Sequence, residues 1–486
     1  MVYKYKGIRY NNGSGFECRQ AFFRYTRCQV TPASAGGGKN QYQWWKSISH
    51  LIQPPAGRRN VPAFPDGRSW AEEGRKVCWD MLQFAVMQYG RENNVRNMKR
   101  RMLLAAALGA VSLCLCGCAT VEKAAVKTGL KENPYYQLGD TWWDHGDIEE
   151  YYFNQIPSNL NEIYRELYER LKNYEDSAEL YAAVSTEDFW TAYYAVLADH
   201  PEFFWIGTSA QVTESALSGE VISYEITPAA DRESRDYLRT QLEAAADKCI
   251  SGIPADASDY QKIKAVYEYL IDTTDYDSDS PDNQNIQSAL LNHRSVCAGY
   301  SKAFQYILHR MGMFCTYVTG KTTDGGDHGW NIVRIGDIYY HVDVTWGDPV
   351  FVNEMEDTSS VTAMNYNYLC CTDAEIYRTH IPQVSVPLPE CNDDSYNYYK
   401  LNGMYYDSFD YDTVYQALMN SVWADQDYIV LKFGSDQGYQ SAKYELFENG
   451  MLSDAGQYLM EVYGTQSWNY RYNTDDEFRL ITIYWK

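Results

Sequence analysis

At 486 residues, 45% hydrophobic and 22% charged, the chain is long enough for two or three globular units. Its net charge of −23 is unevenly spread, because residues 1–97 hold 15 Lys+Arg against 6 Asp+Glu and everything after them is strongly acidic. An acidic body argues against nucleic acid as a partner and suits a soluble protein.

Residues 1–97 carry the run Gly36–Gly38, the pair Pro54-Pro55 and no sustained period of helix or strand, so we expect disorder there. Met98 then opens MKRRMLLAAALGAVSLCLCGCAT, with a basic start (Lys99, Arg100, Arg101), an apolar tract from Met102 and small residues before Cys118. The tract is short for a spanning helix. It resembles a bacterial lipoprotein signal, with Leu115, Gly117 and Cys118 in the lipobox places and Cys116 as an unusual occupant. The resemblance implies that translation begins at Met98 and that residues 1–97 are an overextended gene start. It also implies that 98–117 are a signal peptide and that lipid on Cys118 holds the protein on the membrane surface. The rival reading keeps 1–97 as a cytoplasmic segment ahead of an uncleaved anchor. Both place the rest of the chain outside the cytoplasm, at the bacterial cell surface.

Residues 118–155 are polar and aromatic and read as a membrane tether. An α/β region follows over 156–230. Its first helix begins at Ser158, with Leu160, Ile163, Tyr164, Leu167, Leu171 and Tyr174 on one face. A second follows Ser185, where Asp188 sits in capping-box position and Phe189, Trp190, Tyr193, Val196 and Leu197 are core candidates. DHPEFFWIG and VISYEIT suggest a short sheet beside them. A further helix spans about Asp231 to Ile250, and another starts at the Ser258/Gln261 capping box with Ile263, Val266 and Leu270 inside. The polar loop DTTDYDSDSPDNQN lacks the glycine and terminal glutamate of an EF-hand, and its length suits the border of a cleft.

The stretch from Val296 to Pro349 carries the chemistry. Cys297 opens a helix whose apolar positions Phe304, Ile307, Leu308 and Met311 share a face, with Gly312 placed to end it. Ser295 is the expected N-cap. Cys297 then lies in the first turn, where unpaired N–H groups and the helix dipole favour a thiolate. Downstream, HGWNIVRI and IYYHVDVTW flank Gly336-Asp337, which suits a type II′ hairpin turn. That turn sets Ile335 against Ile338, Ile332 against His341 and Trp330 against Asp343, with His328 diagonal to Asp343 on one face. A slip of one residue would part them. Nucleophile, base and orienting carboxylate would then be Cys297, His328 and Asp343. His341 shares the face as a rival base, but its strand alternates in the ordinary way, which favours a structural role. No metal-ligand spacing is found among Asp327, His328, His341 and Asp343, and no cofactor is expected.

The blocks VCAGYSKAFQYIL, GDHGWN and YYHVDVTWGDP resemble the Cys, His and Asp motifs of the transglutaminase-like (papain-like) superfamily, and more closely its bacterial transglutaminase/protease-like members related to a cytokinesis protein. The likeness runs from about Ser258 to Asp373 and continues through NYNYLCCTDAEIYRTH. It implies an α+β fold, with a nucleophile-bearing helix packed on an antiparallel sheet and smaller α/β units at the flanks. It also implies catalytic roles for Cys297, His328 and Asp343. Two positions depart from the pattern: relatives often have Gly at Ser295 and Asp at Gly347. The catalytic domain would cover 231–385.

The prolines around Pro382, Pro387 and Pro389 read as a linker to a tyrosine-rich α/β module over 391–486. Its expected elements are a hairpin at KLNGMYYDSF, helices near Tyr411–Val422 and Tyr439–Asn449, and strands DYIVLKF and FRLITIYW. Beyond Cys118 and Cys297 an odd number of cysteines remains, which is not a disulfide framework. The expected function is therefore a cell-envelope lipoprotein cleaving or exchanging amide bonds through a thioester, as peptidase, deamidase or protein cross-linker. Its substrate would be protein or peptide, including cell-wall peptide. The alternative is an inactive surface-binding lipoprotein with the same fold.

Overall fold

Three antiparallel-rich sheets organise the described part of the chain. The computed structural model describes residues 5–9, 125–126, 133, 135, 149–348, 364–464 and 466–485. The lipobox, Cys118 and the signal tract lie outside them. In chain order the strands are β1 Tyr5–Arg9, β2 Ser177–Val184, β3 Ile206–Glu214, β4 Val221–Pro228, β5 Asp275–Tyr276, β6 Arg294–Ser295, β7 Cys315–Thr322, β8 Asp327–Ile335, β9 Ile338–Val342, β10 Leu369–Cys371, β11 His380–Pro382, β12 Tyr405–Tyr406, β13 Tyr428–Phe433, β14 Arg471–Asp475 and β15 Leu480–Tyr484. They assemble as β1-β3-β4-β2, β10-β9-β8-β7-β11 and β12-β13-β15-β14, with β5 and β6 as a two-stranded bridge.

The expected N-terminal helices form. Ser185 caps Thr186–Asp199 through the Asp188 N–H, and Ser258 with Gln261 makes the full capping box of Asp259–Thr273. Ile263, Val266 and Leu270 are fully buried. The region from 156 and the region from 231 do not have separate cores: one apolar cluster runs from Tyr151 to Val386. The helix Cys297–Arg310 lies within it and packs against β7 and β8, which confirms the α+β arrangement of a helix on an antiparallel sheet. Polar ties reinforce the joint, with Gln305 Nε2 donating to Ala198 O at 2.8 Å and the Tyr152 hydroxyl to Tyr317 O at 2.7 Å.

Four expectations need correction. The tether to 155 ends early, because Tyr151–Gln155 is a helix whose Tyr151 and Tyr152 are buried, with the Tyr152 and Phe153 N–H groups held by Asp199. Tyr5–Arg9, expected without order, pairs with β3, whose edge would otherwise leave a row of unpaired N–H and C=O groups. The linker begins later than expected: His380–Pro382 is the edge strand paired with β7, a position where proline is tolerated. KLNGMYYDSF is no hairpin. Asn397 caps a short helix, Tyr398–Leu401, Gly403 turns with φ +67°, and β12 runs parallel to β13.

The C-terminal unit has its own core around Leu431, Phe433, Leu446, Leu452, Ile481 and Ile483. Tyr411–Trp423, β13 and β15 stand where expected. The expected helix near Tyr439 is shifted to Asp436–Lys443 and continues as one π-turn, Tyr444–Glu448. Helix Met451–Tyr463 and strand β14 escaped sequence reading. That helix starts from a left-handed Gly450 with no side-chain cap, so no Ser, Thr, Asp or Asn announces it.

The departure at Gly347 has a packing cause. A Cβ there would lie 1.8 Å from the hydroxyl of Tyr267, which is fully buried and bonded to Asn365 O at 2.6 Å. The tyrosine cannot swing aside without losing that bond. Gly347→Ala should therefore cost about 1–3 kcal/mol of stability, seen as a lower urea midpoint at unchanged slope.

Candidate active site

The backbone at Val296 sets the position of Cys297. Val296, extended at φ −112° and ψ 177°, is the N-cap, and Cys297 is the first helical residue. Ser295, expected in that role, is instead turned inward: its hydroxyl meets the Ser288 hydroxyl at 2.6 Å. That buried pair packs against the helix at Gly299, where a Cβ would come within 2.0 Å of Ser295 Oγ. The thiol still heads the helix, at the end where orphan N–H groups gather. Phe304, Ile307 and Leu308 are fully buried, and Gly312 at φ +70° ends the helix. One turn in, Ser301 Oγ donates to Gly329 O at 2.8 Å and binds the helix to the strand next to His328.

The hairpin keeps its expected register, with Ile335 paired to Ile338 and Ile332 to His341. Gly336 has φ +61° while Asp337 does not have positive φ, as a type II′ turn requires. Asp343 follows the last paired residue and leaves the strand to cap the short helix Val344–Gly347. Its Oδ1 accepts from the N–H groups of Thr345 and Trp346 at 2.9 and 3.2 Å. Its Oδ2 lies 2.7 Å from His328 Nε2. With Nε2 committed to Asp343, Nδ1 is the ring nitrogen left to serve a thiol, and the Cys297 charge acts on this same imidazole.

A second imidazole, absent from sequence reasoning, reaches the same oxygen. His380 on β11 sets Nε2 2.9 Å from Asp343 Oδ2, and its Nδ1 meets the Thr379 hydroxyl at 2.7 Å. The only sequence signal was its place at the end of the family-like NYNYLCCTDAEIYRTH tract. Trp330, Trp346 and Tyr368 ring the two histidines.

The shared carboxylate drives the two imidazoles apart. Burial would push the His328 imidazolium down, but the charges of Asp343 and Cys297 outweigh it and raise its pKa to about 10. For His380 burial wins, and its pKa falls below the ordinary value. Burial works against the Asp343 charge as well, yet His328 and His380 hold the carboxyl well below the usual carboxylate range. The group is thus one positive ring and one neutral ring on one anion. Lys302, on the same helix as Cys297, hydrogen-bonds Gln284 O of the long polar loop at 3.0 Å, so that loop does border the helix Cys297–Arg310. Burial lowers its pKa to about 8 against the opposing pull of Cys297.

The five other described cysteines are buried and free, and burial raises all their pKa values, that of Cys249 to about 12. Only Cys297 among them is partly exposed. His341 has its own partners: Trp330 Nε1 donates to its Nδ1 at 3.1 Å and its Nε2 meets Asp373 Oδ1 at 2.8 Å. Indole can only donate, so His341 Nδ1 must accept and Nε2 carries the proton. This satisfied, fully buried ring is structural. Among the described residues two clusters bring ligand-type atoms together, His341 with Asp373 and Cys391, and His328 with Asp343 and His380. In the first, both imidazole nitrogens are already committed to hydrogen bonds. In the second, the 2.7 and 2.9 Å separations are those of protons shared with one oxygen.

Residues 244–344 match the transglutaminase-like superfamily domain. The kyphoscoliosis peptidase of Mus musculus is 23% identical over 160 residues, which span 29% of this chain and 24% of the mouse protein. The chain thus covers about a quarter of that relative's length. A crystal structure of a TGase is 18% identical with a TM-score of 0.20, covering 26% of this chain and 42% of that one. A cysteine protease candidate from Cytophaga hutchinsonii is 14% identical with a TM-score of 0.21, covering 27% and 53%.

Asp343→Asn tests the carboxylate without removing the cap, because an amide oxygen can still accept from Thr345 and Trp346. Its NH2 would face two ring N–H groups, so His328 must move its proton to Nδ1 and can no longer accept one from the thiol. The expected result is a protein of near-normal stability whose turnover drops by about four orders of magnitude, as misoriented tautomers do elsewhere. Full turnover in the purified variant would disprove the role of Asp343.

Proposed function

With residues 244–344 forming a transglutaminase-like domain, we propose that this chain is a cysteine acyl-transfer enzyme of the bacterial cell envelope, acting on amide bonds of protein or peptide. The observation that carries the reading is the 2.7 Å bond from His328 Nε2 to Asp343, which leaves the other nitrogen of that ring to serve Cys297. Nδ1 of His328 takes the Cys297 proton, and the resulting thiolate attacks the amide carbonyl carbon. The N–H groups at the head of the helix receive the oxyanion. The imidazolium gives its proton to the leaving nitrogen, the C–N bond breaks and a thioester remains on Cys297. Water then attacks in hydrolysis or deamidation, or a primary amine in cross-linking; His328 accepts the attacking proton and returns it to the sulfur.

The electrostatics give the pH window. His328 has a folded pKa raised above its ordinary value, so its ionised pairing is complete below that ordinary value and is lost as pH rises through about 10. Asp343, held low, keeps its charge above the ordinary carboxylate range and loses it only as pH falls through its depressed value.

Envelope extract incubated with the protein should leave a hydroxylamine-labile acyl adduct on the peptide containing Cys297, absent from Cys297→Ala. Iodoacetamide should label Cys297 ahead of the five buried cysteines, and His328→Ala should slow that labelling and abolish turnover. No adduct, with Cys297 labelled no faster than Cys249, would favour an inactive surface-binding protein instead.

The envelope location belongs to the same proposal and rests on the lipobox-like tract ending at Cys118. Cys118→Ala should move the protein from the membrane fraction to the soluble fraction or leave an unprocessed precursor. A start at Met98 would also leave β3 without the strand Tyr5–Arg9, and peptides from residues 1–97 in the native protein would overturn it.

A further inference from the structure

Asp343 is fully buried and accepts four hydrogen bonds, two on each oxygen. Its orientation is already set by the Oδ1 cap, so a second donor on Oδ2 is not needed to aim it. The His380 ring lies 4.9 Å from the His328 ring, centroid to centroid, and points its Nε2 at the oxygen that serves His328. We propose that His380 is a positioning residue that tunes the Cys–His pair, competing as a neutral donor for Asp343 Oδ2 and so limiting how strongly that carboxylate holds the His328 proton. The inference rests on the acyl-transfer reading of this site.

The proton inventory makes His380 the neutral partner. Two imidazolium ions on one buried carboxylate would leave a net positive charge in a box of Trp330, Trp346 and Tyr368, where desolvation is costly. The carboxylate can only accept, so the single proton of the neutral His380 ring sits on Nε2 facing Asp343, while Nδ1 meets the Thr379 hydroxyl at 2.7 Å. The titratable groups that face His380 are Asp343, His328, Tyr368, held in its phenol form by burial, and His341, whose own protonation burial disfavours and the His380 charge would oppose. Among the described residues no further charged side chain is placed against it.

The sign follows from where the charge sits. A hydrogen bond from His380 is stronger when Asp343 bears an uncompensated charge than when His328 is protonated beside it. It therefore stabilises neutral His328 relative to the imidazolium and lowers the His328 pKa. An imidazolium gripped by Asp343 alone would be slower to give its proton to a leaving amine, since general-acid efficiency falls as the acid's pKa rises away from the working pH. The second histidine moderates the grip.

The experiment follows the ring signals of histidine-labelled protein by NMR across pH, in wild type, His380→Gln and His380→Leu. Gln places an amide N–H where Nε2 was, so it should titrate His328 within a few tenths of a unit of wild type. Leu fills the space without a donor and should raise the His328 midpoint by about half a unit to one unit. Should Leu not fold, His380→Asn, whose amide stops short of Asp343, replaces it with the same expectation. Alkylation of Cys297 by iodoacetate, an anion drawn by the imidazolium, should slow as pH rises through the His328 midpoint, and in His380→Leu that slowing should come at correspondingly higher pH. An unmoved or lowered His328 midpoint in the variants without a donor, or equal shifts in Gln and Leu, overturns the inference. A structural role alone would change stability and leave that midpoint in place. The two readings fail separately: absence of a thioester on Cys297 defeats the acyl-transfer reading, whereas the NMR midpoint reports His380 whether or not turnover occurs.

Discussion

A carboxylate with no solvent exposure sits at the centre of this structure. Ionising Asp343 where water cannot reach it would cost several kcal/mol unless its oxygens are filled by donors. The fold supplies the four from three pieces of chain: two backbone N–H groups from the helix Asp343 itself starts, one ring from β8 and one from β11. Each demands something of the topology. β8 and β9 must keep one register, β11 must pair at the far edge on β7, and the chain must turn into a helix directly after Val342. The order β10-β9-β8-β7-β11 meets these demands together.

The same economy governs the layer behind the site. Trp330 donates through its indole to His341, and His341 passes a proton contact to Asp373, which also accepts from the Cys391 N–H at 3.1 Å. Every ring nitrogen in this layer has a partner, so its polar atoms cost little to bury. Trp330 contacts both histidine groups, standing 6.2 Å from His328 and 6.4 Å from His341 by ring centroids. It keeps the layers apart while excluding water from both. His328 on β8 and His341 on β9, which the register puts on one face of the hairpin, therefore have different fates. His328 is left one nitrogen for the thiol, and His341 is left none.

The legible parts of this fold were those whose signals are local. Gly336-Asp337 declares a two-residue turn, and from that turn alone the pairing of Ile332 with His341 and the approach of His328 to Asp343 follow by counting. Ser185/Asp188 and Ser258/Gln261 declare helix starts in the same way. What could not be read came from distant chain or from ambiguous chemistry. His380 arrives 37 residues after Asp343 on a three-residue strand that ends in proline, too short to show a period. Gly403 and Gly450 supply positive φ, which serves a helix end or start as well as a hairpin, so KLNGMYYDSF was misread and Met451–Tyr463 passed unseen. Ser295 has cap chemistry but stands one residue before the cap, Val296, and its hydroxyl is taken by the buried Ser288.

The position of the sulfur depends in turn on a region with no motif of its own. Asp199, buried at the end of helix Thr186–Asp199, holds the Tyr152 and Phe153 N–H groups and the Tyr164 hydroxyl. Tyr152 reaches on to the β7 backbone at Tyr317, and Ala198 O is gripped by Gln305 from the helix that Cys297 opens. Removing the N-terminal α/β region would uncover one side of that helix and leave the buried Gln305 amide with only its weaker 3.3 Å contact to Cys315 O. A thiol and an imidazole must stay within hydrogen-bond reach to exchange a proton, and a displacement of an ångström is enough to lose most of the rate. The unit that holds the proposed site is therefore larger than the segment that carries its three motifs. It begins at the helix Tyr151–Gln155, and the continuous core from Tyr151 to Val386 packs around the helix that Cys297 opens.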